Sequence, residues 1–301
     1  MLITALLDEY ISVCIFNGYT SAHIRSITDI FIKRSGCLLV SDVNLEKIAI
    51  YKDATLKCCK PITFNTSVKY LRMLFKYALE CGYVSENVFQ RIRLAKVGQP
   101  QPKVYSDRQI NELRQALLSS TLEPVWFWIT VVETLHYTGI RRRQLISLRL
   151  GDIDFEQCSI FLQYDGSKTK KTWKIPLHPK LAEILKEYLV TLKRECGRTL
   201  QKHEYLFSVS RINPAYKNYG SGKMSPEQVT GFFKRLSKKT SFTTGAHRFR
   251  HTLATTLCNP PNGSPDIFSV QEILGHADLK TTKSYVMPNF SRLAATLKLL
   301  P

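Results

Sequence analysis

The sequence lacks the features that would hold a metal ion or a framework of disulfide bonds. It has eight cysteines, but they form no Cys-x-x-Cys pair and no Cys/His cluster with zinc-ligand spacing. Nor do its aspartates and glutamates cluster in a way that suggests a Mg²⁺ site. These absences predict a reduced intracellular chain with free thiols and no cofactor. For the adjacent cysteines Cys58 and Cys59, a redox-active pair is an alternative, but packing as small apolar side chains is favoured.

Long apolar runs are missing as well. The first seven residues are largely apolar, but Asp8 and Glu9 follow at once and no basic segment precedes them. A signal peptide begins with a basic segment, and a membrane-spanning helix needs about 20 apolar residues. We therefore expect a cytoplasmic protein with no membrane partner.

Acidic residues are scarce relative to basic ones. The chain has 24 Asp and Glu against 43 Lys and Arg, which gives a formal net charge of +19. Such a charge predicts a polyanionic partner, with nucleic acid favoured over a membrane surface. At 301 residues and 44% apolar content, the chain can bury one large or two ordinary cores.

The first 95 residues are predicted to be helical throughout. Apolar residues recur near the helical period in three segments, and a cap at Thr20 and Ser21 begins a further helix. The three segments are Leu2–Val13, Leu45–Leu56 and Ser67–Cys81. Pro61–Thr66 is expected to break the chain. Residues 96–105 contain a glycine and two prolines, so we predict a linker there.

Residues 106–301 combine helices with a few strands. Ser106 is the predicted cap of a helix that ends at Leu118, and Pro124–Tyr137 is apolar enough to be a buried core helix. Two strands, Ser159–Gln163 and Thr172–Leu177, flank an Asp-Gly turn signal. The whole chain is thus predicted to be mainly α with a small antiparallel β-sheet.

Three separated stretches carry residues suited to phosphate chemistry. Arg141 follows a glycine turn in Thr-Gly-Ile-Arg, and His247 and Arg250 share a helical face in His-Arg-Phe-Arg-His-Thr. In the third stretch, Leu-Gly-His276 follows a short helix, and a second helix capped by Asp278 is predicted to carry Tyr285. Two arginines can bind a phosphate bidentately, histidines can donate or move protons, and a tyrosine can attack phosphorus.

The order and local spacing of these motifs resemble the tyrosine recombinase (phage integrase) family, from about Tyr105 to Val286. The resemblance implies a helical core-binding domain in residues 1–95, a linker in 96–105 and an α+β catalytic domain in 106–301. Two departures stand out. Gln144 occupies a position where the family usually has Glu, and Asn259–Pro265 is a more irregular connection than usual.

The resemblance also implies roles for particular residues. Six are expected to be catalytic: Arg141, Lys168, His247, Arg250, His276 and Tyr285. The arginines would hold the scissile phosphate, His247 would accept the proton of Tyr285, and Lys168 would protonate the leaving oxygen, with Lys170 as the alternative. Basic residues expected to contact DNA are Arg72, Lys76, Lys96, Lys103, Lys170, Lys171, Lys174, Lys234 and Arg235.

As a family member, the protein would be a site-specific recombinase of a bacterium, phage or mobile element, of the simpler Xer or transposon type. It would cut and rejoin double-stranded DNA through a 3′-phosphotyrosine and a Holliday junction, without metal or ATP. A homotetramer would hold two duplexes, with a monomer or dimer on a single site. The apolar stripe in Phe290–Leu300 would dock on a neighbouring subunit or on its own domain. The alternatives are a type IB topoisomerase or telomere resolvase, and a DNA-binding protein without catalysis.

Overall fold

A computed structural model describes residues 1–16, 22–98, 102–119, 122–164, 172–212, 222–260, 265–287 and 294. These residues form thirteen α-helices and one three-stranded antiparallel sheet, which confirms the predicted fold class. The chain divides into two compact units, Met1–Pro100 and Gln101–Pro301. No helix among the described residues is long and apolar enough to cross a membrane.

The first unit is a small helical domain with an aromatic core. Its helices are α1 (Ile3–Phe16), α2 (Ala22–Ser35), α3 (Leu45–Cys58) and α4 (Pro61–Glu80). A 3₁₀ turn at Val88–Arg91 closes the unit and inserts Phe89 between helices. The Phe89 ring lies 5.4 Å from that of Phe31 and 4.9 Å from that of Phe75, in tilted and edge-on arrangements that aromatic pairs prefer.

Two expectations for this unit are wrong. Pro61 does not interrupt a helix, because it is the first residue of α4. At that position a backbone N–H would have no partner within the helix, so the N–H that proline lacks is not missed. Cys58 is not buried among apolar side chains but exposed. Its Sγ lies 3.7 Å from that of Cys59 and accepts a hydrogen bond from an Arg34 N–H at 3.0 Å. The predicted cap at Thr20 and Ser21 lies outside the described residues.

The second unit surrounds a small sheet with nine helices in its described part. The strands are β1 (Ile153–Asp154), β2 (Ser159–Leu162) and β3 (Trp173–Pro176), in that order, with Ile160 opposite Ile175. The helices are α5 (Asp107–Leu118), α6 (Val125–Thr138), α7 (Arg142–Ser147), α8 (Pro179–Cys196), α9 (Val209–Ile212), α10 (Pro226–Leu236), α11 (Ala246–Cys258), α12 (Ile267–Leu274) and α13 (Leu279–Lys283).

Helix α6 is the buried core helix that the sequence predicts. Its Trp128 ring stacks on Phe232 of α10 at 4.0 Å with the planes 5° apart. Glu133 on the same helix is buried, and Arg114 of α5 neutralises it through two hydrogen bonds of 2.7 and 2.8 Å. A buried carboxylate needs such a bidentate partner. Because α11 also packs on α6, the core helix supports the segment that carries two of the motif residues, His247 and Arg250.

The residues at the start of this unit fix the position of α11. The Tyr105 hydroxyl accepts from the Gly245 N–H at 2.8 Å, one residue before the helix begins, and the Tyr105 N–H donates to Thr252 at 2.8 Å. Arg248 lies over the Tyr105 ring, 4.2 Å from its centre, and donates to the carbonyl oxygen of Val104 at 2.8 Å. Backbone and cation–π contacts thus hold one face of α11, and its other face is left for the site.

Candidate active site

Arg141 is placed by a glycine turn at the end of α6. Gly139 has φ +59 and ends the helix, and an added Cβ there would lie 2.8 Å from Leu253. Arg141 then caps α7, with its backbone N–H donating to the side-chain oxygen of Gln144 at 2.8 Å. Glutamine therefore supplies the same cap oxygen as a glutamate would. The Arg141 Nη1 is buried but has no hydrogen-bond partner among the described residues.

Arg250 joins three elements at the centre of the site. It projects from α11, is 3% exposed, and donates to the carbonyl oxygens of Gly139 at 3.1 Å and Leu274 at 2.7 Å. These carbonyls belong to the ends of α6 and α12, where helices leave acceptors without intrahelical partners. The guanidinium therefore holds the turn that leads to Arg141 and the turn that leads to His276 in one place.

His276 lies in the tight turn after α12. Gly275 has φ +61, and an added Cβ would lie 2.3 Å from the Trp173 ring of β3, so only glycine fits. The His276 Nδ1 lies 2.8 Å from the Thr282 hydroxyl, and the ring is buried. Burial, and then the charges of Arg250 and Arg141, lower the pKa of His276 to about 4. The imidazole is therefore neutral at physiological pH.

Tyr285 lies just beyond α13 rather than on it. The predicted cap Asp278 is confirmed, but the helix ends at Lys283, and the Tyr285 N–H closes a turn on the Thr282 carbonyl at 3.0 Å. Asn259 holds this turn from the end of α11. Its amide nitrogen donates to the Tyr285 carbonyl oxygen at 2.8 Å, and its oxygen accepts from the Met287 N–H at 2.8 Å.

The Tyr285 hydroxyl is hydrogen-bonded to His251, not to the predicted acceptor His247. His251 Nδ1 lies 2.7 Å from the phenolic oxygen. His247 is one turn earlier on α11, exposed, with its ring centre 5.0 Å from that of His251. His251 is four positions after His247 and therefore lies on the same face of α11. Of these two histidines, His251 is the one that is hydrogen-bonded to Tyr285. No hydrogen bond joins His247 to Tyr285 in the described part of the chain.

Within the described ranges, the site carries positive charge without a compensating carboxylate. In the residues that the structure describes, neither Arg141 nor Arg250 forms an ion pair. Burial, and then the charge of Arg141, lower the pKa of Arg250 to about 9, and burial lowers that of Arg141. Both guanidiniums remain cationic at neutral pH, so the arrangement is suited to an anion that would neutralise them.

Three further groups have shifted pKa values. Burial raises the pKa of the Tyr285 phenol, while the charges of Arg250 and Arg141 oppose the shift. Desolvation lowers the pKa of His251, with the charge of Arg250 adding to it. The pKa of His247 falls for the same first reason, and its electrostatic interaction with His251 and the charges of Arg250 and Arg141 lower it further.

The structure gives different surroundings to the residues predicted to contact DNA. Lys96 and Lys103 are exposed, as are Lys234 and Arg235 near the end of α10. Two other exposed lysines have polar partners: Lys76 lies 3.4 Å from Glu80, and Lys174 lies 3.1 Å from Gln157. Lys168, Lys170 and Lys171 lie outside the described residues.

Arg72 has a structural role that its sequence position does not reveal. It is half-buried, and its guanidinium donates to the carbonyl oxygens of Phe89 at 2.9 Å and Ile92 at 2.5 Å. Those carbonyls belong to the closing turn of the first unit. Because its Nε and Nη2 donate to these backbone carbonyls, Arg72 stabilises the closing turn, and its contact with DNA stays a prediction.

Sequence reasoning missed two residues that position the nucleophile. His251 stands inside a recognised motif, and its signal was visible: it is four residues after His247 and therefore on the same helical face. Asn259 had no such signal, because its three side-chain hydrogen bonds join it to Thr255 on its own helix and to Tyr285 and Met287 far along the chain.

Comparisons with known proteins agree with this geometry. The sequence profile of the phage integrase family matches residues 105–292. Tyrosine recombinase XerC of Bacillus licheniformis is 30% identical over 278 residues, which cover 90% of this chain and 86% of that protein.

Two solved structures share the fold. A Tn1549 transposon integrase in complex with transposon right end DNA has a TM-score of 0.74 at 21% identity, covering 100% of this chain and 99% of that one. A lambda integrase tetramer bound to a Holliday junction has a TM-score of 0.70 at 18% identity, covering 92% of this chain and 78% of that one. With the profile match spanning more than half of its length, the chain belongs to the phage integrase family, the tyrosine recombinases.

Proposed function

We propose that this protein is a site-specific DNA recombinase that cuts and rejoins strands through Tyr285. The observation that carries the proposal is the meeting of a buried phenol with two guanidiniums that have no carboxylate partner among the described residues. One of these, Arg141, keeps a buried N–H that has no acceptor in the part of the chain that the structure describes. Non-bridging oxygens of a phosphodiester would satisfy that donor and neutralise both cations.

The chemistry follows from the charges at the site. Arg141 and Arg250 bind the scissile phosphate and stabilise the extra negative charge of the pentavalent transition state. His276, neutral at physiological pH, adds a hydrogen bond, while a histidine of α11 takes the phenolic proton. Tyr285 attacks the phosphorus, which gives a 3′-phosphotyrosine and a free 5′-hydroxyl. One phosphate ester replaces another, so the step conserves bond energy and needs neither ATP nor metal.

The leaving 5′-oxygen needs a proton, and a lysine in the loop between β2 and β3 is the proposed donor. Lys168 is favoured and Lys170 is the alternative, on the resemblance alone. What supports the placement is Trp173, the first residue of β3, whose ring packs on Gly275 next to His276. One end of this loop therefore starts from the edge of the site.

Binding of the duplex is proposed to involve both units. The net charge of +19 and the exposed basic residues Lys96, Lys103, Lys234 and Arg235 support a positively charged DNA-binding surface. The first unit would be the core-binding domain, and residues 96–105 the linker. We further propose a homotetramer on two duplexes, because the related lambda integrase is a tetramer on a Holliday junction. The proposed location is the cytoplasm of a bacterium, where chromosomal and mobile-element DNA are accessible.

The proposal can be tested before the DNA site has been identified. Purified protein is incubated with fragmented genomic DNA of its source in excess chelator, then denatured, and covalently attached fragments are recovered and sequenced. A recombinase attaches to one or a few sites, and two such sites on a plasmid then recombine in cells. Relaxation of any supercoiled plasmid without exchange between sites would instead indicate a topoisomerase. Absence of covalent DNA would overturn both.

A further inference from the structure

We propose that His251 is a catalytic residue that accepts the proton of Tyr285 during strand cleavage. This inference rests on the proposed function and deepens it, because it names the group that activates the nucleophile. The geometry that carries it is the 2.7 Å contact between His251 Nδ1 and the Tyr285 hydroxyl. That distance lies within the hydrogen-bond reach required of a general base.

The contact is fixed from both sides. His251 projects from the middle of α11, the helix that Tyr105 and Arg248 hold in place at its start. Tyr285 is held by the two hydrogen bonds that Asn259 makes across it, and its ring packs in an apolar cluster of Ala254, Cys258, Val270 and Leu274. Neither side chain can be moved far without disturbing its own element, so the pair is preorganised.

The other two histidines are placed less well for this step. His276 uses Nδ1 on Thr282, and its ring lies parallel to that of Tyr285 with the centres 6.2 Å apart. A parallel ring at that distance presents its face, and the lone pairs of an imidazole lie in the ring plane. His247 lies beyond His251, so it is better placed to reach a bound phosphate than the phenol.

The charged surroundings favour an imidazole that is neutral before the reaction. Groups facing His251 come from its own helix and from two neighbouring turns: His247 and Arg250 on α11, His276 after α12, and Tyr285 after α13. Arg250 is cationic, and His276 is neutral. Desolvation, followed by the charge of Arg250, keeps the pKa of His251 below its usual range. A neutral ring with its hydrogen on Nε2 leaves Nδ1 free to accept.

The proposed step balances without a further reagent. The O–H bond of Tyr285 breaks as its oxygen bonds to phosphorus, and the proton moves to His251 Nδ1. The bond from phosphorus to the 5′-oxygen breaks, and the leaving oxygen takes a proton from the loop lysine of the proposed function. In the rejoining step the imidazolium returns its proton to the phenolic oxygen. The bound phosphodiester supplies the negative charge that offsets the new imidazolium beside Arg250.

Two substitutions separate a proton acceptor from a group that only positions the tyrosine. In His251→Asn the amide oxygen takes the place of Nδ1 and can accept the hydrogen bond, but it cannot take up the proton. His251→Phe keeps a flat ring and removes the acceptor. His203→Asn, at an exposed histidine of the same unit, is the matched control. Each is measured by the single-turnover rate of covalent attachment to a nicked suicide substrate made from the trapped site, with DNA affinity and Tm alongside.

We expect both His251 variants to bind DNA and melt as the wild type does, and to form covalent DNA at least about 100-fold more slowly at pH 7. The wild-type rate should fall at acidic pH, where the imidazole becomes protonated, and the fall should begin below the ordinary histidine pKa of about 6.5 because the pKa of His251 is lowered. In His251→Asn the rate should instead climb steadily into the alkaline range, since only ionised phenol can then attack.

Outcomes that would overturn the inference are distinct from failure of the proposed function. A His251→Asn rate equal to that of the wild type would show that the hydrogen bond only positions Tyr285. A wild-type pH profile retained in His251→Asn but lost in His247→Asn would assign the proton to His247. If the wild type itself forms no covalent DNA, the proposed function fails first, whatever the His251 variants do.

Discussion

Asn259 holds the backbone of Tyr285 through its side-chain amide, 2.8 Å from the tyrosine carbonyl oxygen. The same amide donates to the Thr255 carbonyl oxygen at 2.7 Å, and its oxygen accepts from the Met287 N–H at 2.8 Å. The end of the catalytic helix is thereby joined to the segment that carries the nucleophile. The placement of the phenol depends on this one side chain as well as on α13.

Asn259→Ala should therefore both slow covalent attachment and weaken the fold. It removes three hydrogen bonds, each contributing about 1 kcal/mol, and frees the Tyr285 segment. We expect a loss of about 3 kcal/mol in unfolding free energy and a rate about tenfold lower or more. Chemical denaturation and single-turnover cleavage measure the two. Asn259→Asp keeps only the hydrogen bond from the Met287 N–H. It should therefore recover at most half of the stability and cleavage rate that Asn259→Ala loses. Full activity in either variant would contradict this role.

The two arginines of the site should respond differently to removal. Arg250→Ala leaves the Gly139 and Leu274 carbonyls without their buried donor, so both stability and cleavage should fall. Arg141→Ala removes a half-buried cation that has no acidic partner in the described residues, so the Tm should stay the same or rise. Both should lose cleavage by roughly 3 kcal/mol of transition-state stabilisation. A large drop in Tm for Arg141→Ala would show that Arg141 has a structural role.

Gly275→Ala should damage the site through Trp173. The new methyl would lie 2.3 Å from the Trp173 ring, and the φ of +61 is unfavourable for alanine. We expect a loss of at least about 1 kcal/mol from the backbone strain alone. In a double-mutant cycle with Trp173→Ala, the Gly275→Ala penalty should shrink, because the collision disappears while the strain remains. Additive penalties would mean that the two residues do not meet.

Protonation of His276 should destabilise the fold at acidic pH. Its pKa is lowered to about 4 in the folded protein, against about 6.5 when unfolded. The unfolded chain therefore binds more protons between these values, so stability is complete above pH 6.5 and is lost as pH falls towards 4. The full difference is about 3 kcal/mol. Denaturation at pH 7.5 and 5.0 should show a smaller acid loss for His276→Gln than for the wild type, and an equal loss would contradict the assignment.

Much of this architecture can be predicted where the cause is local. The caps at Ser106 and Asp278 and the glycine ends at Gly139 and Gly275 are confirmed, because a cap or a positive φ depends on neighbouring residues. The prediction for Pro61 is wrong because a proline that begins a helix and one that breaks it look alike before the helix is known.

What could not be predicted depends on contacts between distant parts of the chain. The periodic pattern predicts Tyr285 on a helix, but α13 ends two residues earlier, and Asn259 and His251 position the tyrosine from α11. Arg72 has the sequence pattern of a surface cation, yet its partners are carbonyls 17 and 20 residues away. Spacing indicates which residues meet in the site, but not which atoms touch.

The most direct test of the account is the identity of the residue that becomes joined to DNA. Covalent adducts trapped on a suicide substrate are digested with protease and nuclease, and the modified peptide is sequenced by mass spectrometry. The account predicts a nucleotide 3′-phosphate on Tyr285 and no adduct in Tyr285→Phe, which should still bind DNA with unchanged affinity. An adduct on another residue, or one that persists in Tyr285→Phe, would contradict it.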